Sequence, residues 1–241
     1  YYPFNGNAKD ESGNGNDGSV NGATLSTDRH HKDRKSYSFD GKDDRFVVSD
    51  HHLDIFGKAK SSTMSLWVNI DPNSPREWHR IVTKGFHTET GSMGNKGNRY
   101  FQLQLSNDGD AIASLYIANL NTKTDIDGQK RKLAPGLWHH LVVVRGEKSA
   151  MYINGDDHTN RANGRDKNKW MVDYEAVLGG TPFAFGAMQF IANDRDTFYQ
   201  HHFAGQLDDI RIYNRALSPD EVKALYEYES QPVGPKSAVS G

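Results

Sequence analysis

Three short segments concentrate carboxylates, side-chain amides and glycine: Asp10 to Asn16, Asp40-Gly41 to Asp44, and the adjacent pair Asp208-Asp209. Oxygen donors of this kind suit a hard cation, which takes carboxylates, amide side chains and backbone carbonyls. The same Asn/Asp/Gly composition also makes turns with no ion present, and both readings stand at this level. Strand parity adds a constraint. Neighbours on a strand face opposite sides, so Asp208 and Asp209 are expected to point apart.

A second constellation is basic and aromatic. Residues 76–80 read REWHR and Lys84 follows. Regular alternation puts Arg80, Val82 and Lys84 on one face, and Tyr100, Gln102 and Gln104 on the outward face of a later strand. If both faces line one concave sheet, the groove offers guanidinium, ammonium, amide and aromatic groups. Sugars are held by aromatic stacking and polar hydrogen bonds, and acidic sugars also favour arginine. The candidate contacts are Arg76, Trp78, His79, Arg80, Lys84, Arg99, Tyr100, Gln102, Trp170, Tyr199 and His202. Each also reads plainly as part of a solvated face or as a capping aromatic.

Histidines come in pairs at 30–31, 51–52, 139–140 and 201–202. Adjacent strand residues cannot chelate one metal together, and no ligand spacing suggests zinc. Glycoside hydrolysis needs two opposed carboxylates. Here Glu77, Glu89, Glu147 and Glu175 stand alone, and no ExDxxE pattern occurs. No GxSxG, HExxH or phosphate-cradling glycine loop occurs either. No catalytic residue is assigned. The alternative enzyme is a polysaccharide lyase, which needs a carboxylate neutraliser with a His or Tyr acid and base. Arg80, Arg99, His79, His202, Tyr100 and Tyr199 supply those types.

The elements that must position these groups are short strands. Period-two alternation marks 36–48, interrupted by an Asp40-Gly41 turn, and also 63–70, 80–84, 99–106 and 111–118. Residues 138–145 and 149–154 read as a hairpin, with Asn154-Gly155 a further turn signal. Residues 175–179 and 203–213 complete the set. One helix is expected over 218–228, with Ser218 as N-cap, Pro219 at the first position and Glu221 three residues after the cap. The loops at 86–98 and 155–173 are long, polar and rich in Gly and Asn. The pattern predicts an all-β sandwich or jelly roll.

The 241 residues suit one large β domain over 1–229, followed by a Ser/Pro/Gly-rich linker or tail over 230–241. With 35% hydrophobic residues and 25% charged, the apolar residues must be concentrated in the strands. Net charge is -2 and no basic run or aromatic RNA-binding motif is present, so nucleic acid is not the expected partner. Cysteine is absent, which excludes disulfides and thiolate metal sites. No apolar run is long enough to span a membrane. The residues given open with no signal-peptide pattern, as expected of an excised domain or mature product.

Several segments together resemble the laminin G-like domains of the concanavalin A-like lectin/glucanase superfamily. They are YYPFNGNAKDESGNGNDGSV, SYSFDGKDDRFVV, STMSLWVNI with RIVTKG, LWHHLVVVRGEKSAMYINGD and FAGQLDDIRIYNRALSPDEVKALY. They run in order from Tyr1 to about Tyr228. The resemblance implies a jelly-roll sandwich of two antiparallel sheets with a short C-terminal helix. It implies a structural calcium, with Asp208 as a side-chain ligand, Gly41 and Asp40 contributing through the backbone, and Asp10 near them. It also implies a non-catalytic carbohydrate-binding module of a secreted or surface bacterial protein, attached to a larger multidomain chain. The preferred ligand is an acidic polysaccharide. A lyase on the same scaffold, or a protein-binding adhesion module, is the alternative.

Overall fold

A computed structural model describes residues 1–49, 61–74, 79–88, 99–107, 111–119, 122–146, 150–159, 182–192 and 196–232. The strands are β1 (Gly18–Asn21), β2 (Thr24–Ser26), β3 (Ser36–Asp40), β4 (Arg45–Val48), β5 (Ser62–Ile70), β6 (His79–Thr88), β7 (Arg99–Asn107) and β8 (Ala111–Asn119). They continue with β9 (Thr122–Lys132), β10 (Trp138–Arg145), β11 (Ala150–Ile153), β12 (Asp156–Asp157), β13 (Phe183–Phe185), β14 (Met188–Ala192), β15 (Asp196–Gln200) and β16 (Ala204–Tyr213). Helix α1 spans Pro219–Ser230.

Among the described residues the strands form two sheets. One runs β1-β4-β13-β6-β7-β8-β9, with β14 pairing β6 and β15. The other runs β12-β11-β10-β5-β16-β3-β2. All pairs are antiparallel except β14 with β6. Phe46, Val48, Val82, Leu103, Phe183 and Phe185 from the first sheet pack with Leu66, Val68, Leu141, Val143, Met151 and Leu207 from the second. This is the expected jelly-roll sandwich, and period-two alternation is what lets each strand give one face to the shared core.

The N-terminal segment is tied to that core by two aromatic residues. Tyr2 bridges to Ile210, and its ring lies 5.1 Å from that of Phe46. The Phe4 ring lies 4.9 Å from Tyr37 and 5.3 Å from Phe46, edge-on in both cases. Burying one such ring contributes roughly 1.5–3 kcal/mol, enough to hold a segment that makes few ladder hydrogen bonds.

The outer face of the second sheet is covered rather than exposed. Val142, Val144, Ala150 and Tyr152 pack there with Leu217 and Val222 to make a second, smaller core under α1. The helix starts as its sequence predicts. Ser218 accepts a hydrogen bond from the Glu221 amide, and the Glu221 side chain accepts from the Ser218 amide.

The expected strand at 175–179 lies outside the described residues. The expected loop at 86–98 begins later, because β6 extends to Thr88. Of the loop at 155–173, residues 156–157 pair with β11 as β12. Strands β1, β2, β9 and β13 to β15 were not foreseen, since short or polar segments carry little period-two signal.

Candidate functional site

Arg45 opens β4 opposite Asn21 of edge strand β1. Its guanidinium lies 4.4 Å from the centre of the Tyr199 ring, contributed by β15. Both side chains are half-buried. The guanidinium makes two long contacts to neutral acceptors, 3.2 Å to the Asp43 carbonyl and 3.4 Å to Asn21 Oδ1. His202 lies beside this pair. Its ring nitrogens are 3.3 Å from the Tyr199 carbonyl and 3.4 Å from the Asp44 carbonyl. The Arg80 amide donates to the His201 carbonyl at 3.1 Å. The structure therefore brings Tyr199 and His202 together with Arg45, and ties the Arg80 backbone to His201 beside them. Parity within RFVV, which pairs Arg45 and Val47 against Phe46 and Val48, was the available signal for Arg45.

The expectation that Arg80, Val82 and Lys84 share one face needs correction. The register of β6 on β7 shifts between Arg80 and Val82, so Arg80 pairs with Gln104 and Val82 with Leu103. This bulge inserts one extra residue and reverses the alternation. Ile81 and Val82 both enter the core, and Lys84 becomes fully buried with its ammonium 4.7 Å from the Phe183 ring centre. A ligand cannot reach Lys84. Arg80 and Gln104 are themselves largely buried, and Thr83 donates to the Ala187 carbonyl where the chain crosses that face.

The other expected contacts are placed by strand position. His79 pairs with Leu105, Arg99 with Phe86, Tyr100 with Gly85 and Gln102 with Thr83. Arg76, Trp78 and Trp170 lie outside the described residues.

The acidic segments sort into three separate hydrogen-bonded groups. Asp10 caps the first loop: it accepts from the nitrogens of Tyr1 and Ser12 and from the amide and side chain of Asn16. Burial pulls its carboxyl up, but those hydrogen bonds outweigh burial and hold it well below the usual range.

The second group is the turn after β3. Oxygens of Asp40, Asp43 and Asp44 lie within 4.8 Å of one another. Gly41 sits at φ +78°, and a Cβ there would come within 2.9 Å of the Ala204 Cβ, so the turn requires glycine. Asp44 is buried and accepts from the Asp40 amide at 2.8 Å. Burial first, and then the charges of Asp40 and Asp43, push its carboxyl up, against the Asp40 amide. A donor set of three carboxylates fits a hard cation, and a cation here would relieve the repulsion between them.

The third group corrects the parity reading of Asp208 and Asp209. Asp209 has φ +46°, and the register of β16 on β5 shifts between Asp208 and Arg211. The kink turns both carboxylates to one guanidinium: Arg29 reaches Asp208 at 2.6 Å and Asp209 at 2.7 Å. Arg29 also lies 4.5 Å over the Trp67 ring and donates to the Glu229 carbonyl at 3.0 Å. Asp208 Oδ1 accepts the Asp209 amide. Both oxygens of Asp208 are thus engaged by protein donors. Burial, followed by the Asp209 charge, raises its carboxyl, against the pull of Arg29.

Under α1 this network continues through a stack of Trp67, His140 and Tyr226. Trp67 Nε1 donates to Glu229 at 2.7 Å, and Arg211 donates to the same carboxylate at 2.6 Å. Ser65, His140 and Glu229 resemble a nucleophilic triad by residue type only. Ser65 Oγ and Glu229 both approach His140 Nε2, at 2.7 and 3.6 Å, so no second nitrogen is oriented by the acid. Ser65 and His140 are also fully buried.

The profile of a laminin G-like family, described as the concanavalin A-like lectin/glucanases superfamily, matches residues 39–223. A comparison with curated proteins gave no match. Similar solved structures include domain 4 of an extracellular family 43 arabinanase from Geobacillus stearothermophilus, in complex with arabinotriose. It is 22% identical, with a TM-score of 0.59 over 94% of this chain and 96% of that one. The ligand-binding domain of botulinum neurotoxin serotype D, in complex with N-acetylneuraminic acid, is 14% identical, with a TM-score of 0.61 over 92% of this chain and 48% of that one. The binding domain of Paraclostridial Mosquitocidal Protein 1 is 18% identical, with a TM-score of 0.61 over 92% of this chain and 49% of that one. The chain thus spans about half the length of the two toxin domains. These likenesses are likenesses of fold.

Proposed function

Because the chain belongs to the concanavalin A-like lectin/glucanase superfamily, we propose that it is a non-catalytic carbohydrate-binding module of a secreted or surface protein, with an acidic polysaccharide as its ligand. The observation that carries this is the half-buried Tyr199 ring with the Arg45 guanidinium 4.4 Å from its centre. With the guanidinium covering one face of the ring, a sugar would pack its carbons against the ring's edge while its polar groups hydrogen-bond to the guanidinium fork. His202 packs at the same edge, its ring nitrogens 3.3 and 3.4 Å from the Tyr199 and Asp44 carbonyls, and so holds the segment that carries Tyr199 against the turn. Two structures of similar fold hold arabinotriose and N-acetylneuraminic acid, which supports a sugar ligand on this scaffold. Both come from extracellular or toxin proteins, which supports a secreted module within a longer chain. Among the described residues no helix is long and apolar enough to cross a membrane.

A structural calcium belongs to the same proposal. Asp40, Asp43 and Asp44 would hold it. The ion supplies fixed positive charge that offsets carboxylate repulsion and stabilises the folded state by mass action. Of the ligands implied by the family resemblance, Asp40 and Gly41 lie in this turn, while Asp208 hydrogen-bonds Arg29 and Asp10 accepts from Tyr1, Ser12 and Asn16, so the proposed set leaves those two out.

Affinity electrophoresis against neutral and anionic polysaccharides tests the function. The protein is expected to be retarded by at least one polysaccharide, and Tyr199→Ala to migrate freely. No retardation by any polysaccharide overturns the proposal.

A further inference from the structure

Arg45 stands directly after two aspartates, Asp43 and Asp44, yet its guanidinium is paired with neither carboxylate. Among the described residues its polar contacts are one carbonyl and one amide oxygen, both at more than 3 Å. One face is occupied by Tyr199. A guanidinium has more N–H groups than these two contacts use, and they project from its edge as a planar fork.

From this geometry we infer that Arg45 is the specificity-determining residue of the sugar site, and that it reads a single carboxylate borne by a sugar ring, as in a uronic acid. The inference rests on the carbohydrate-binding reading above. A planar fork matches a planar carboxylate in two parallel hydrogen bonds. The sugar bearing it lies against the aromatic edge that Tyr199 provides. Charge-dense sulfated polymers are bound by basic patches, which neutralise many anions at once. Here the half-buried Arg45 guanidinium stands beside the Asp40, Asp43 and Asp44 turn, whose Lys42 is drawn to Asp40. With calcium bound, the Asp40, Asp43 and Asp44 charges are balanced by the ion and by Lys42, 3.8 Å from Asp40, so the turn adds no basic patch of the kind a densely sulfated chain needs.

The test is calorimetric titration of the protein with three probes: oligogalacturonate, its methyl ester, and heparin oligosaccharide. Wild type, Arg45→Gln, Arg45→Lys and Tyr199→Ala are compared. Oligogalacturonate is expected to bind, and the methyl ester and heparin to bind at least about tenfold more weakly. Arg45→Gln is expected to lose about tenfold or more for oligogalacturonate and much less for the methyl ester, so that acid and ester bind alike, and Arg45→Lys to fall between. Equal binding of acid and ester, or Arg45→Gln binding as wild type while Tyr199→Ala does not, overturns the carboxylate inference but keeps the sugar site. Heparin binding as tightly as oligogalacturonate also overturns it. Binding of oligogalacturonate unchanged in Tyr199→Ala overturns the site itself. Circular dichroism of each variant excludes misfolding as the cause.

Discussion

The Nη1 atom of Arg29 lies 2.6 Å from Oδ2 of Asp208, across 179 residues of chain. The pair sits on the outer face of the second sheet, and a second carboxylate, Asp209, shares the same guanidinium. The Arg29 side chain is 9% exposed and that of Asp208 only 3%. Removing one partner of such a buried pair leaves the other uncompensated, which is the costly case. Arg29→Ala is therefore expected to lose about 3–5 kcal/mol of stability, measured by urea denaturation. A loss under about 1 kcal/mol, the range of exposed pairs, would show that the cluster is solvated.

His140 controls an acid-limb effect. Burial first, then the charges of Arg29 and Arg211, depress its imidazole from 6.5 to about 3. The unfolded chain then binds a proton that the folded chain does not, throughout that window. Stability from this residue is complete above pH 6.5 and falls as pH drops toward 3. Asp208 and Glu229, both raised by burial, titrate with the opposite sign. The informative quantity is therefore the difference between variants. His140→Phe is expected to flatten the loss of stability between pH 6 and pH 4 relative to wild type, in denaturation curves at each pH. Parallel pH profiles would contradict a neutral buried imidazole.

The helix start is worth a separate test. Ser218 accepts the Glu221 amide at 3.2 Å in a complete capping box. Ser218→Ala is expected to destabilise by about 1 kcal/mol and to lower the melting temperature, while Ser218→Asp is expected to keep it.

For calcium the expectation is a higher thermal midpoint with the ion than with chelator, and no such difference in Asp44→Asn. Gly22→Ala is expected to reduce the difference as well, because a Cβ at Gly22 would strike Asp44 Oδ1. An identical midpoint with and without chelator in the wild type would leave Asp40, Asp43 and Asp44 as turn formers.

The strands at 36–48, 62–70 and 138–153 were legible because regular alternation and the Asp40-Gly41 turn are local properties. The capped helix was legible for the same reason. The two misread faces share one cause. Bulges at Arg80/Val82 and Asp208/Arg211 reverse parity, and the sequence shows neither, because each is imposed by the partner strand. One bulge turns Lys84 into the core; the other swings Asp208 and Asp209 onto Arg29. The Arg45–Tyr199 pair joins strands far apart in the chain, so only the fold brings it together.

Hydrogen–deuterium exchange with oligogalacturonate bound tests the sugar site at the Arg45–Tyr199 edge most directly. Protection confined to β4 and the segment from Tyr199 to His202 is the predicted result. Protection at α1 and β5 with none at Arg45 or Tyr199 would contradict it.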